Sequence, residues 1–172
     1  MDFSQSILAP YPGVPVRRKV FLSHYHGQRE WTDTFLRDFG DAFIRRSVGA
    51  LGDDNLIKSG NPEYVMRRIR EEYIGDSTVT IVLVGSCTHS RRYIDWEIKG
   101  SLKRAADGLP NGLVAIQCSS NPVHLPPRFE ANWNQQHSNC YARFYRYPQT
   151  KDELRGWLED AFIARSKRCL LY

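Results

Sequence analysis

Glu97 lies in the segment Arg91-Arg92-Tyr93-Ile94-Asp95-Trp96-Glu97-Ile98-Lys99-Gly100-Ser101-Leu102, and its helical neighbours are unusual for a glutamate. On a wheel of about 100° per residue, Ile94, Ile98, Leu102 and Ala105 gather in one arc that must face a core. Glu97 falls about 90° from the centre of that arc. Tyr93 and Gly100 lie further round the same flank, and Ser101 lies between Glu97 and the core. The residues three and four positions away are Ile94, Tyr93, Gly100 and Ser101, so no Lys or Arg is placed for the usual helical ion pair. Asp95 shows the contrast: Arg91 stands four before it and Lys99 four after, so Asp95 reads as a structural ion-pair residue. A carboxylate placed like that of Glu97 is partly shielded and still reaches a cleft. There it can accept hydrogen bonds from hydroxyls and offset a developing positive charge. Trp96 points away from Glu97 on the wheel and reads as a packing or assembly contact.

Other residues with chemical potential are weaker candidates. His24 and His26 would share one face of a strand, but no third ligand is spaced with them, so no metal site is expected. Asp53-Asp54 reads as a solvated acidic pair in a loop that runs to Ser59-Gly60. Arg45-Arg46, Arg67-Arg68 and Arg91-Arg92 are scattered pairs without interleaved aromatics, which describes helix surfaces better than a nucleic-acid track. The four cysteines, Cys87, Cys118, Cys140 and Cys169, are widely spaced and read as free buried thiols.

The elements that must position Glu97 follow from hydrophobic patterning. Lys19 to Ser23 is a short apolar run of the kind buried on both sheet faces. A helix with Trp31, Phe35 and Phe39 on one face follows, then a faint strand signal between Ala42 and Leu51. Asn61 is a good N-cap, Pro62 suits the first helical position, and Val65, Ile69 and Tyr73 form a stripe that Gly75 ends. Thr78 to Val84 is the strongest strand, β-branched almost throughout, and is expected to be central. The turn from Gly85 to Ser90 feeds the helix of Glu97, roughly Arg91 to Ala106. Leu113 to Ile116 is another buried strand, Ser119 to about Asn139 a polar, proline-containing segment, and Ala142 to Tyr147 a late strand. Lys151 to about Arg165 closes the chain as a helix with Leu154, Trp157, Leu158 and Phe162 inward. Strands alternating with amphipathic helices predict a parallel sheet covered on both faces, with ligands beyond the carboxyl ends of the strands. That rule points to Ser23-His24-Tyr25, the Asp53 loop, and Gly85-Ser86.

At 172 residues the chain fits one domain, with residues 1–18 read as an irregular arm and 19–172 as the domain. It is 41% hydrophobic and 25% charged, as soluble globules are, and its net charge of +5 suits a polyanionic ligand. The opening residues lack a basic region followed by an apolar run, and the apolar stretch at Val79 to Val84 is too short to span a bilayer. A cytoplasmic protein without membrane contact is expected.

Three blocks, V-F-L-S-H-Y from Val20, S-T-V-T-I-V-L-V-G-S-C-T from Ser77 and R-R-Y-I-D-W-E-I from Arg91, resemble the TIR-like domains of the Thoeris anti-phage system. The similarity covers roughly residues 18–118. It implies an α/β, flavodoxin-like TIR fold, a three-layer sandwich around a central parallel sheet. It also implies NAD glycohydrolase or ADP-ribosyl cyclase activity, with NAD as substrate and no separate cofactor. The catalytic glutamate maps onto Glu97. Phe21, Ser23, His24 and Tyr25 map onto the nucleotide-facing end of the first strand, and Asp53 onto the loop after the second. Ser86, Tyr93 and Ser101 are expected to share the cleft. In Thoeris a cyclic ADP-ribose isomer acts on a separate effector protein, and self-assembly into a homo-oligomer is compatible with the fold. The alternative is a non-catalytic self-assembly or interaction module in which Glu97 is incidental; a nucleoside-transferring enzyme of related fold stands third.

Overall fold

The strand β1 spans Lys19–Ser23, and its alternating side chains divide between two cores. Val20 and Leu22 point to one face of the sheet, Phe21 to the other, as the two-residue period of a strand requires. The computed structural model describes residues 16–46, 61–103, 108–134, 136 and 139–168. The Asp53 loop, most of the residue 1–18 arm, Ala105 and Cys169 lie outside them.

Five parallel strands form one sheet in the order β2-β1-β3-β4-β5. The others are β2 (Ile44–Arg46), β3 (Val79–Val84), β4 (Gly112–Gln117) and β5 (Ala142–Tyr145). This is the flavodoxin-like order, and β3 is the central strand that its β-branched sequence predicted. All six of its residues are buried, since helices cover both faces. The short β2 falls within the faint strand signal and pairs Lys19 with Ile44 at the sheet edge.

On one face, α1 (Arg29–Phe39) and α5 (Lys151–Lys167) bring Phe35, Phe39, Leu154, Leu158 and Ala161 against Val20, Leu22, Ile81, Leu83, Val114 and Ile116. On the other face lie α2 (Pro62–Ile69), α3 (Arg92–Leu102) and α4 (Pro127–Glu130). There α3 and α4 pack Ile94, Ile98, Leu102 and Phe129 on Val82, Val84 and Ala115. The start of α2 is capped as its sequence predicted: Asn61 Oδ1 accepts from the N–H groups of Glu63 at 3.0 Å and Tyr64 at 3.2 Å. A π-helical turn, Arg70–Ile74, continues α2 and packs Tyr73 and Ile74 against Phe21.

Three expectations change. Helix α3 stops at Leu102, short of Ala106, because Lys103 turns extended and the Asn111 N–H binds the Ser101 carbonyl at 2.8 Å. The segment from Ser119 to Asn139 is not merely polar connection: a proline opens α4 at its first turn, and Phe129 anchors it in the core. The described thiols are free, but Cys87 is exposed and Cys118 and Cys140 are half-buried, where buried thiols were expected. Among the described residues no helix is long and apolar enough to cross a membrane.

Candidate functional site

Ser23 is the last residue of β1, and strand alternation turns it to the face that Phe21 shares, toward α3. Its hydroxyl donates to Glu97 Oε2 at 2.5 Å. Glu97 itself is half-buried, while the next flank of α3, Gly100 and Ser101, is fully enclosed. The apolar arc of the wheel therefore understates the depth of this side of the helix. Close packing explains why: a Cβ on Gly100 would stand 3.1 Å from Ile74 Cδ1 of the π turn. Desolvation pushes the Glu97 carboxyl up from its ordinary 4.5 to about 7, and the Ser23 hydrogen bond opposes that rise. No ion pair reaches Glu97 among the described residues. The result is a carboxylate poised near neutrality at the carboxyl edge of the sheet.

A buried hydrogen-bond chain fixes the backbone that carries it. Asn111 Nδ2 donates to Thr80 Oγ1 at 3.2 Å and to Ser77 Oγ at 2.7 Å. Thr80 Oγ1 donates to Ser101 Oγ at 2.7 Å, and Ser101 Oγ donates to the Glu97 carbonyl at 2.9 Å. Tyr141 closes the chain by donating its hydroxyl to the Asn111 carbonyl at 2.7 Å. Among the described residues Asn111 Oδ1 alone of this chain is left without a partner; its other side-chain groups satisfy one another, and together they lock α3 to β3 and to the start of β4.

The Gly-Ser-x-Thr turn after β3 has a structural reason at both ends. The Gly85 N–H donates to Thr88 Oγ1 at 2.8 Å, and Thr88 returns its own N–H to the Gly85 carbonyl at 3.2 Å. A side chain at Gly85 is excluded: a Cβ there would stand 2.2 Å from Trp31 Cζ3 and 2.7 Å from the Gln28 amide. Trp31 and Gln28 thus roof the end of β3. Beside them the Arg91 guanidinium lies 4.0 Å over the Tyr25 ring, joining the β1 edge to the start of α3.

These positions sort the residues singled out in the sequence. Ser23 and Glu97 meet directly; Tyr25 and His24 are half-buried just beyond them in the chain. Ser86 is exposed on the turn. Tyr93 is 60% exposed and turns its ring edge to Trp96 at 5.5 Å, so it stands outside the enclosed part of the site. Phe21 and Ser101 do not line a cleft: Phe21 is enclosed by Ile69, Tyr73 and Ile74, and the Ser101 hydroxyl is used in the buried chain. They support the site from beneath. Asp53 lies outside the described residues. Asp95 is an ion-pair residue as expected, but its partner is Arg128 of α4 at 2.8 Å and not its helical neighbours. Thr80, Asn111, Trp31, Gln28 and Arg91 were missed as site supports. The one local signal for them is the glycine of Gly85-Ser86-Cys87-Thr88, immediately after an apolar strand, which marks the close approach of Trp31 and Gln28. Among the described residues no group of three or more His, Cys, Asp or Glu side chains could hold a metal ion.

The sequence profile of a family described as "Thoeris protein ThsB, TIR-like domain" matches residues 21–122, more than half of the chain. That span takes in the carboxyl end of β1 and all of β3, α3 and β4, and with them Ser23, the Gly85–Thr88 turn and Glu97. No curated protein matches this chain. With the five-stranded parallel sheet and the match over these elements, the chain belongs to the Thoeris ThsB TIR-like domain family.

Proposed function

We propose that this defence-associated TIR-like domain cleaves the nicotinamide–ribose bond of NAD in the cytoplasm, with Glu97 as the catalytic carboxylate, and makes a cyclic ADP-ribose isomer. The observation that carries this reading is the Ser23–Glu97 pair, a desolvated carboxyl without a cationic partner, held at the strand edge where α/β sheets bind ligands. When the C1′–N1 bond breaks, its electron pair leaves with nicotinamide, which becomes neutral and needs no general acid. The positive charge passes to the ribose as an oxocarbenium-like centre. Ionised Glu97 offsets that charge and accepts hydrogen bonds from the ribose hydroxyls. A water or a nucleophilic group of the same molecule then attacks C1′. Where the attacking group carries a proton, a carboxylate titrating near 7 is matched to receive it. Attack by water gives linear ADP-ribose; attack from within the molecule gives the cyclic product, which we assign as a signal to a separate effector protein.

Ser23 orients the carboxyl and favours its charged form, and the apolar walls around it raise the strength of its electrostatic action. The test is incubation of the full chain with NAD over a range of protein concentrations, with products resolved by mass spectrometry. Nicotinamide with a cyclic ADP-ribose supports the reading; nicotinamide with linear ADP-ribose alone keeps the cleavage and overturns the cyclic product. NAD left intact at concentrations where the chain has self-assembled overturns it in favour of the interaction module.

A further inference from the structure

On the flank of α3 opposite Glu97, a groove of about 490 Å³ opens between the first turns of that helix and α4. Its walls include Arg91, Arg92, Asp95, Trp96, Pro127 and Arg128. The charges do not balance. Asp95 is engaged with Arg128 at 2.8 Å, which leaves the guanidinium groups of Arg91 and Arg92 without a carboxylate of the groove to neutralise them. The amino end of α3 has no side-chain cap, so its first-turn N–H groups and the positive end of its dipole add to that surplus. Arg91 Nε and Asp95 Oδ1 are buried polar atoms without hydrogen-bond partners. Arg91 now lies over Tyr25 with that Nε unpaired, so a swing into the groove exchanges a ring contact for charge-assisted hydrogen bonds. The groove also has an aromatic wall. Tyr93 meets the Trp96 ring edge-on at 75°, which steadies the indole, and Pro127 adds apolar surface nearby.

We propose that this groove binds a nucleoside monophosphate, its phosphate held by Arg91, Arg92 and the amino end of α3 and its base stacked on Trp96. The volume suits a ligand of that size. The inference does not rest on the reading of Glu97, which lies on the other flank of the helix. Pro127 and Arg128 also fall outside the matched residues 21–122, so this groove is partly built by the chain's own later segment.

Calorimetric titration of the full chain with AMP, inorganic phosphate and adenosine tests it. AMP is expected to bind wild type and Glu97→Gln alike, and more tightly than either fragment alone. Arg92→Glu, a change at an exposed side chain, and Trp96→Ala should each weaken AMP by about tenfold or more. Thermal melting of both variants confirms folding, and Arg92→Glu keeps the test valid if Trp96→Ala melts early. Absence of AMP binding at millimolar concentration overturns the proposal. So does AMP affinity unchanged in Arg92→Glu or lost only in Glu97→Gln. Phosphate binding as tightly as AMP overturns the stacked base.

Discussion

Burial of Glu97 sets a conflict between stability and chemistry that can be measured. Its carboxyl titrates near 7 in the fold against 4.5 in the open chain, so between those values the folded chain holds the extra proton. Stability from this group is therefore fully present below about pH 4.5 and is lost as pH rises through about 7, a loss on the order of 3 kcal/mol. Glu97→Gln keeps the shape and removes the charge. It is expected to unfold later than wild type at pH 8, by up to roughly that amount, and at nearly the same denaturant concentration at pH 4. Urea unfolding at the two pH values checks this, and equal shifts at both would contradict the assigned burial. Turnover should run the opposite way, rising with pH through about 7 as the carboxylate forms. Ser23 donates to that carboxylate, so Ser23→Ala should move the rise to higher pH. A profile of nicotinamide release that stays in place would separate Ser23 from the titration.

Elements, more than single residues, decide whether Glu97 points correctly. The chain from Asn111 through Thr80 and Ser101 ends on the Glu97 carbonyl, so it holds the backbone of α3 rather than the carboxyl. Thr80→Val removes its middle member at almost constant volume and leaves buried partners unsatisfied. A loss of about 1–3 kcal/mol in chemical denaturation is expected, together with a drop in turnover. Gly85→Ala should do more harm than a surface alanine, because its Cβ would strike the Trp31 ring; proton NMR of the indole reports whether Trp31 moves. Much of this level was legible in the sequence. Patterning located the central strand, the Asn61 cap and the shielded position of Glu97, all of which depend on neighbours within a few residues. Partners further along the chain were not legible. Arg128 is 33 residues from Asp95, and Asn111 is 31 residues from Thr80. No helical or strand period relates such pairs; only the packing of α4 and β4 brings them together.

For the whole molecule, the elements matched to the family do not make a complete core. Phe129, Tyr141, Leu154 and Leu158 come from the later part of the chain and are almost entirely buried against the sheet. A fragment of residues 16–122 is therefore expected to give the poorly dispersed NMR spectrum of an unpacked chain, whereas a well-dispersed one would show that α4, β5 and α5 are dispensable. Arg18 reinforces the same point from the other end: it pairs with Glu159 at 2.8 Å and lies 3.6 Å over the Phe162 ring, tying the entry to β1 onto α5. The sequence placed Arg18 in the arm, since nothing local signals a partner 141 residues away. What all these elements converge on is one carboxylate beside one hydroxyl. The most direct test is the rate of nicotinamide release from NAD at pH 8 by wild type and by Glu97→Gln, with folding of both verified. A fall of about a hundredfold to a thousandfold is expected, the scale of losing a transition-state charge stabiliser. Release by Glu97→Gln at a rate near that of wild type would contradict the catalytic role of Glu97.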